Sequence, residues 1–225
     1  MFDKTVFSAV EALAGIKDGS TIMVGGFGLA GQPRQLIEEL LEQGATDLTI
    51  VSNNAGNGDT GLAALLKEGR VRKIICSFPR QVDSWVFDEL YRAGKIELEL
   101  VPQGNLAERI RAAGAGIPAF YTPTSYGTVL ADGLETRTFN GVDTVLQSAL
   151  HADVALISAF RADTWGNLVF RKTSRNLGPI MATAAKTSIA QVADIVALGV
   201  LDPETIITPG IYIDCIVNVR EGDTS

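Results

Sequence analysis

The stretch Asp18-Gly19-Ser20-Thr21-Ile22-Met23-Val24-Gly25-Gly26-Phe27-Gly28-Leu29-Ala30-Gly31-Gln32-Pro33 decides the fold. Its apolar run, Ile22 to Val24, reads as a buried strand. Gly25, Gly26, Gly28 and Gly31 follow, and Pro33 opens a helical pattern running to about Leu41. Proline suits the first helical turn, where its missing N–H would have had no partner. Strand, glycine loop and helix start, in that order, bring backbone N–H groups close to a ligand. An anion there also meets the positive end of a helix dipole.

Gly26, Gly28 and Gly31 satisfy G-x-G-x-x-G, the dinucleotide fingerprint, which also needs an acidic residue about 20 positions later. Here that residue is Asp47, which precedes the next apolar run, Leu48 to Val51. The ribose-binding acid belongs at the end of such a strand. Context therefore argues against a nicotinamide cofactor. Glycines serving only a tight strand-to-helix turn account for the spacing as well.

Further along, apolar runs at Ile74–Ser77 and Ile96–Val101 read as strands, like Ile22–Val24 and Leu48–Val51. Amphipathic helices are predicted at about Pro33–Gln43, Thr60–Glu68, Ser84–Ala93 and Asn105–Ala113. In Leu36-Ile37-Glu38-Glu39-Leu40-Leu41 the apolar positions recur at three and four, which buries one helix face. This alternation predicts an α/β fold, a mostly parallel sheet covered by helices on both faces. After Pro118 the rhythm changes. Asn140-Gly141 between β-type residues signals a hairpin, and Asp163–Asn167 reads as a second turn before Leu168–Phe170. Together they predict a small antiparallel excursion in the second half. Apolar runs at Val154–Ala159, Ile180–Ala185 and Ile211–Val219 then return to the core. With no linker or repeat, residues 1–219 form one domain and 220–225 a short polar tail.

The 225 residues could bury roughly 70–75% of the unfolded surface in a single domain. A net charge of −7 with scattered basic residues argues against nucleic-acid binding, which needs a clustered positive field. No apolar run reaches the length of a membrane span, and Asp3 and Glu11 interrupt any signal-peptide pattern, so the cytoplasm is expected. Cys76 and Cys215 each lie in an apolar run and read as buried free thiols. His151, the single histidine, rules out a histidine-based metal cluster and reads as structural, so no metal is expected.

The whole pattern from Asp18 to Pro33 resembles the signature of the alpha subunit of family I coenzyme A transferases. Other segments carry the same resemblance: Ser52-Asn53-Asn54-Ala55-Gly56, Val101-Pro102-Gln103-Gly104-Asn105 through Arg111, Trp165-Gly166-Asn167-Leu168 and Thr208-Pro209-Gly210-Ile211-Tyr212. It covers about Ile16 to Val219. Phe78-Pro79-Arg80-Gln81 and Val86–Gly94 look most like the members that act on 3-oxoadipate. Those members move CoA from succinyl-CoA to an oxo-diacid formed in aromatic-compound breakdown; an acetoacetate, other short-chain 3-oxoacid or acetate transferase is the nearest alternative. A nucleotide- or sugar-phosphate-binding module on the same scaffold is the alternative of another class.

The resemblance implies acyl–CoA exchange through a glutamyl-CoA thioester, with CoA thioesters as substrates and no cofactor. In the family the glutamate belongs to the beta subunit, in a Glu-Asn-Gly type of loop. The analogous loop here carries Asn53 and Asn54, whose amides donate hydrogen bonds but cannot form an anhydride. A beta-subunit partner, and hence a hetero-oligomer, is therefore implied. Gln103 is expected to steady the developing oxyanion, as the glutamine of the family's Pro-Gln-Gly motif does. Gly25, Gly26, Phe27, Gly28, Leu29, Ala30 and Gly31 are expected to contact CoA. Asn53, Asn54, Arg80 and Gly104 are assigned to the substrate pocket, with Arg80 as a bidentate carboxylate clamp. Plain turn geometry fits Asn53, Asn54 and Pro102–Gly104 as well, and a surface position fits Arg80. At Ser125 relatives usually carry glycine, which puts the geometry of that loop in question.

Overall fold

In the computed structural model, which describes residues 3–219, the first half of the chain alternates strand and helix as its apolar rhythm predicts. The polar tail expected at 220–225 lies outside the described residues. A short β1 (Thr5–Val6) and α1 (Ala9–Leu13) come first. Then follow β2 (Thr21–Val24), α2 (Arg34–Gln43), β3 (Leu48–Val51), α3 (Leu62–Lys67), β4 (Val71–Cys76), α4 (Trp85–Arg92), β5 (Glu97–Leu100) and α5 (Gln103–Gly114). The second half carries β6 (Ala119–Thr122), β7 (Thr136–Phe139), β8 (Val142–Ser148), β9 (Ala152–Asp163) and β10 (Leu168–Val169). It closes with α6 (Gly178–Ala184), β11 (Ala185–Val196) and β12 (Cys215–Asn218).

The main sheet has the order β1-β12-β11-β9-β2-β3-β4-β5, with β10 beside β9. Its pairings are parallel apart from β9–β10. Side chains alternate across a strand, so the sheet feeds two separate cores. Ile22, Ile50 and Ile74 pack on one side with Leu13 of α1, Leu36 of α2 and Phe87 of α4. Met23, Val51 and Ile75 pack on the other with Leu106 and Ile110 of α5 and Met181 of α6. Helices thus cover both faces, as parallel sheets require.

Helix α2 shows how the sequence specifies its own packing. Leu36, Ile37 and Leu40 are buried while Glu38 faces solvent, and each fully buried leucine contributes roughly 1.5–3 kcal/mol. Gly44 ends the helix at φ 90°, a left-handed conformation that costs a residue with a Cβ. Pro33 sits just before the helix rather than in its first turn.

The hairpin expected at Asn140-Gly141 forms, while three other readings differ from the structure. The Asn140-Gly141 turn, at φ 50° and 81°, joins β7 to β8 in a separate sheet of order β6-β8-β7. That dihedral pair is the primed turn a hairpin prefers. The turn at 163–167 instead joins β9 to β10 within the main sheet, so it lies outside the antiparallel excursion. Helix α5 begins at Gln103 rather than Asn105, which places Gln103 and Gly104 on a helix rather than in a loop. The apolar run Ile180–Ala185 returns to the core mostly as α6. No described helix is long and apolar enough to cross a membrane.

Candidate active site

Strands β2 to β5 are neighbours and run parallel, so the segments leaving their carboxyl ends stand side by side on one rim. Ligands of open α/β sheets gather on such a rim. The glycine loop 25–31 follows β2, Ser52–Gly56 follows β3, Ser77–Gln81 follows β4, and Gln103 and Gly104 follow β5 as the opening of α5.

At the centre of the rim is a cluster of amides. The Asn53 carbonyl accepts from the N–H groups of Ser77 (3.3 Å) and Phe78 (3.0 Å), and Asn54 bridges to Phe78. Pairing of β3 and β4 thereby continues past both strands. The side-chain Oδ1 of Asn53 accepts from Ser77 Oγ at 2.9 Å and from Gln103 Nε2 at 2.9 Å. Asn53 is 2% exposed, whereas Gln103 reaches solvent. Asn54, at 1% exposure, accepts from the Gly56 N–H at 2.9 Å, and its Nδ2 has no hydrogen-bond partner. An unsatisfied buried donor costs about 1–3 kcal/mol and has a use if an acceptor arrives. Turn geometry explains the oxygen of Asn54 but leaves its nitrogen without a purpose.

The glycine loop is tied down from inside. Gly25 N–H donates to Leu156 O of β9 (2.9 Å), and Phe27 and Ala30 exchange reciprocal backbone bonds (3.0 and 3.1 Å). Gly26 N–H donates to Asn176 Oδ1 at 3.0 Å, while Asn176 Nδ2 donates to Ala30 O at 3.2 Å. The donors of those four loop residues are therefore already used. The α2 amino end is partly satisfied too, since Leu36 N–H donates to the buried Gln191 Oε1 at 3.3 Å. What remains open is the tip: Phe27 and Leu29 are 54% and 58% exposed, and a Cβ on Gly28 would meet nothing within 4 Å. Beside the tip lies a cavity of about 300 Å³ between Leu29 and Gln32 on one side and Asn57 and Thr60 on the other.

Other expected residues are placed as follows. Arg80 lies on the segment after β4, where its guanidinium pairs with Asp88 of α4 rather than with the amide cluster. Ser125 has φ 75°, the left-handed conformation that glycine would adopt freely, so the substitution stores strain of about 1–2 kcal/mol. It lines a cavity of about 250 Å³ with Pro102 and Arg109. His151 stands exposed just ahead of β9, Cys76 is buried, and Cys215 is only partly so. Burial pushes the Cys76 thiol up to about 12. Among the described residues no three His, Cys, Asp or Glu side chains are gathered to hold a metal.

Two residues of the rim escape a reading of the sequence. Ser77 looks like the last residue of a strand, and nothing local marks its hydroxyl. Asn176 is 150 residues from the loop it holds, so no spacing could connect them.

Residues 6–219 match the family described as Coenzyme A transferase. The chain is 66% identical to a subunit of the 3-oxoadipate CoA-transferase of Pseudomonas putida, over 97% of this chain and 95% of that protein. It is 54% identical to a subunit of the Succinyl-CoA:3-ketoacid coenzyme A transferase of Xanthomonas campestris, over 98% and 96%. A crystal structure of an acyl-CoA transferase apoenzyme from Escherichia coli superimposes with a TM-score of 0.88 at 25% identity. That alignment takes in 99% of this chain but 48% of the larger one. A rim of parallel strand ends, a constrained glycine loop and a match running from Val6 to Val219 lead to one conclusion: the chain belongs to the coenzyme A transferase family.

Proposed function

We propose that this chain is the alpha subunit of a heteromeric transferase that moves CoA from succinyl-CoA to 3-oxoadipate, in the cytoplasm, during aromatic-compound breakdown. Support for the acceptor comes from identity: 66% to the 3-oxoadipate relative, compared with 54% to the 3-ketoacid relative. The observation that carries the reading is the amide cluster. Gln103 and the unpartnered Asn54 Nδ2 are amide donors that can polarise a carbonyl, and neither they nor Asn53 can attack one.

The nucleophile is a glutamate of the partner chain. Its carboxylate attacks the thioester carbonyl and expels CoA thiolate, leaving a mixed anhydride. The thiolate then attacks the glutamyl carbonyl, releasing succinate and forming a glutamyl-CoA thioester. The acceptor acid takes CoA by the reverse route, so no cofactor is consumed. Each addition builds negative charge on a carbonyl oxygen, and a fixed amide donor there is worth about 3–4 kcal/mol.

The test is exchange between succinyl-CoA and 3-oxoadipate by the chain alone and by the chain co-purified with its partner. Exchange is expected only with the partner, whose glutamyl peptide should gain the mass of CoA. Brisk exchange by the isolated chain overturns the reading. The 3-ketoacid relative favours acetoacetate as the second acceptor, and an acceptor panel separates the two. Tight binding of a nucleotide or sugar phosphate by the chain alone, without exchange in the complex, would assign it to a binding module instead.

A further inference from the structure

Three successive strand ends meet at one atom. Asn53 Oδ1, beyond β3, accepts Ser77 Oγ from beyond β4 and Gln103 Nε2 from the first residue of α5, both at 2.9 Å. Asn53 is 2% exposed and is fixed through its backbone as well, because its carbonyl accepts from Ser77 and Phe78 N–H. Gln103 has no comparable restraint. It sits exposed in the first turn of α5 after Pro102, on a long side chain with three rotatable bonds.

We propose that Asn53 is a positioning residue: its Oδ1 holds the Gln103 amide in the orientation that meets the reacting carbonyl, and Ser77 holds Asn53. This inference rests on the reading of the chain as part of a CoA transferase. Two N–H protons are available on a primary amide. One is spent on Asn53, and that bond sets the plane of the amide and the direction of the other. A donor aimed in advance costs no reorganisation when charge develops, whereas a free glutamine rotor must be ordered in each catalytic cycle. Ser77 adds a second bond to the same oxygen, so rotation of the Asn53 side chain would break two contacts at once.

The experiment is a double-mutant cycle on the complex of this chain with its partner, reading kcat and KM for succinyl-CoA with 3-oxoadipate. Gln103→Ala is expected to lower kcat by about 10²–10³-fold. Asn53→Ala is expected to lower kcat by about 10-fold or more with KM nearly unchanged, as loss of an interaction acting in the transition state requires. The Asn53→Ala/Gln103→Ala double variant should be no slower than Gln103→Ala alone, within about threefold, because Asn53 acts through a group already gone. If the two losses multiply, or Asn53→Ala leaves kcat intact, the inference is overturned while the transferase reading stands. Should Asn53→Ala fail to assemble, Ser77→Ala replaces it in the same cycle under the same criteria. A wild-type complex without exchange overturns the transferase reading, and this inference with it.

Discussion

Asn176 Oδ1 accepts the Gly26 N–H at 3.0 Å, linking the segment before α6 to a loop 150 residues earlier. The same side chain donates from Nδ2 to Ala30 O (3.2 Å) and Ser174 O (2.9 Å) and accepts from Leu177 N–H (2.6 Å). One amide therefore spans both ends of the glycine loop. Its backbone sits at φ 30°, an unusual angle for a residue with a side chain. We expect Asn176→Ala to lower unfolding free energy by about 1–3 kcal/mol through the orphaned Gly26 donor. In the complex it should raise KM for the CoA thioester by several-fold more than it lowers kcat. Thermal melts and steady-state kinetics check both, and an unchanged KM would separate the clamp from substrate binding.

Gly28 and Gly31 should respond differently to the same alanine. A Cβ on Gly31 would lie 2.3 Å from Ser174 O and 2.7 Å from Asn176 Nδ2. At Gly28, φ is 60° and the surrounding space is open. Gly31→Ala should therefore disrupt folding or assembly. Gly28→Ala should cost only the left-handed backbone term, about 1–2 kcal/mol. A bulky Gly28→Trp should leave assembly intact and abolish exchange, because it fills the exposed tip between Phe27 and Leu29. Size-exclusion chromatography and CoA kinetics distinguish these outcomes.

Arg80 gives a prediction about selectivity. Its ion pair with Asp88 is solvent-exposed and is worth roughly 0–1 kcal/mol. Arg80→Ala should therefore leave the melting temperature within a few degrees of wild type. As a clamp for the second carboxylate, its loss should lower kcat/KM for 3-oxoadipate about 10-fold and spare acetoacetate. Equal loss for both acceptors would return Arg80 to a surface role.

Acid sensitivity should centre on Glu99. Burial works against its charge, but hydrogen bonds from Arg109 (2.8 Å) and Lys73 (2.9 Å) outweigh that and hold its carboxyl below the usual range. A lowered folded value means the unfolded chain takes up the proton first. The stabilisation is complete above about 4.5, the ordinary glutamate value, and is lost as pH falls through the lower folded one. Denaturant midpoints of wild type and Glu99→Gln should differ at pH ~6, and the difference should shrink progressively as pH falls below 4.5. A constant difference across that window would show that Glu99 is not the group responsible.

The first half of the fold was legible because its periodicities are undisturbed. Ile22–Val24 and Leu48–Val51 are short apolar runs bounded by turn residues, and Leu36, Ile37 and Leu40 repeat at helical spacing. Strand β11 was hidden by its own buried polar groups. Ser188 and Gln191 interrupt the apolar run, yet they are 1% and 3% exposed, because Ser188 Oγ donates to Ala182 O and Gln191 Oε1 caps Leu36 N–H. Such residues look like surface until their partners are known. The rim followed from strand–loop order, and Gln103 from resemblance. The bonds from Asn53 and Asn176 required the fold, since hydrogen bonds across 50 and 150 residues leave no trace in spacing.

In the main sheet β2 lies between β3 and β9, and Gly25 continues that contact through its bond to Leu156. A polypeptide cut near Pro118 would contain Asn53, Asn54, Ser77 and Gln103, yet Ile22–Val24 would become a raw margin with unsatisfied main-chain groups. Margins of that kind recruit other strands indiscriminately and precipitate. The half that carries the rim therefore depends on β9 for its closure and should not stand alone as a separable cassette.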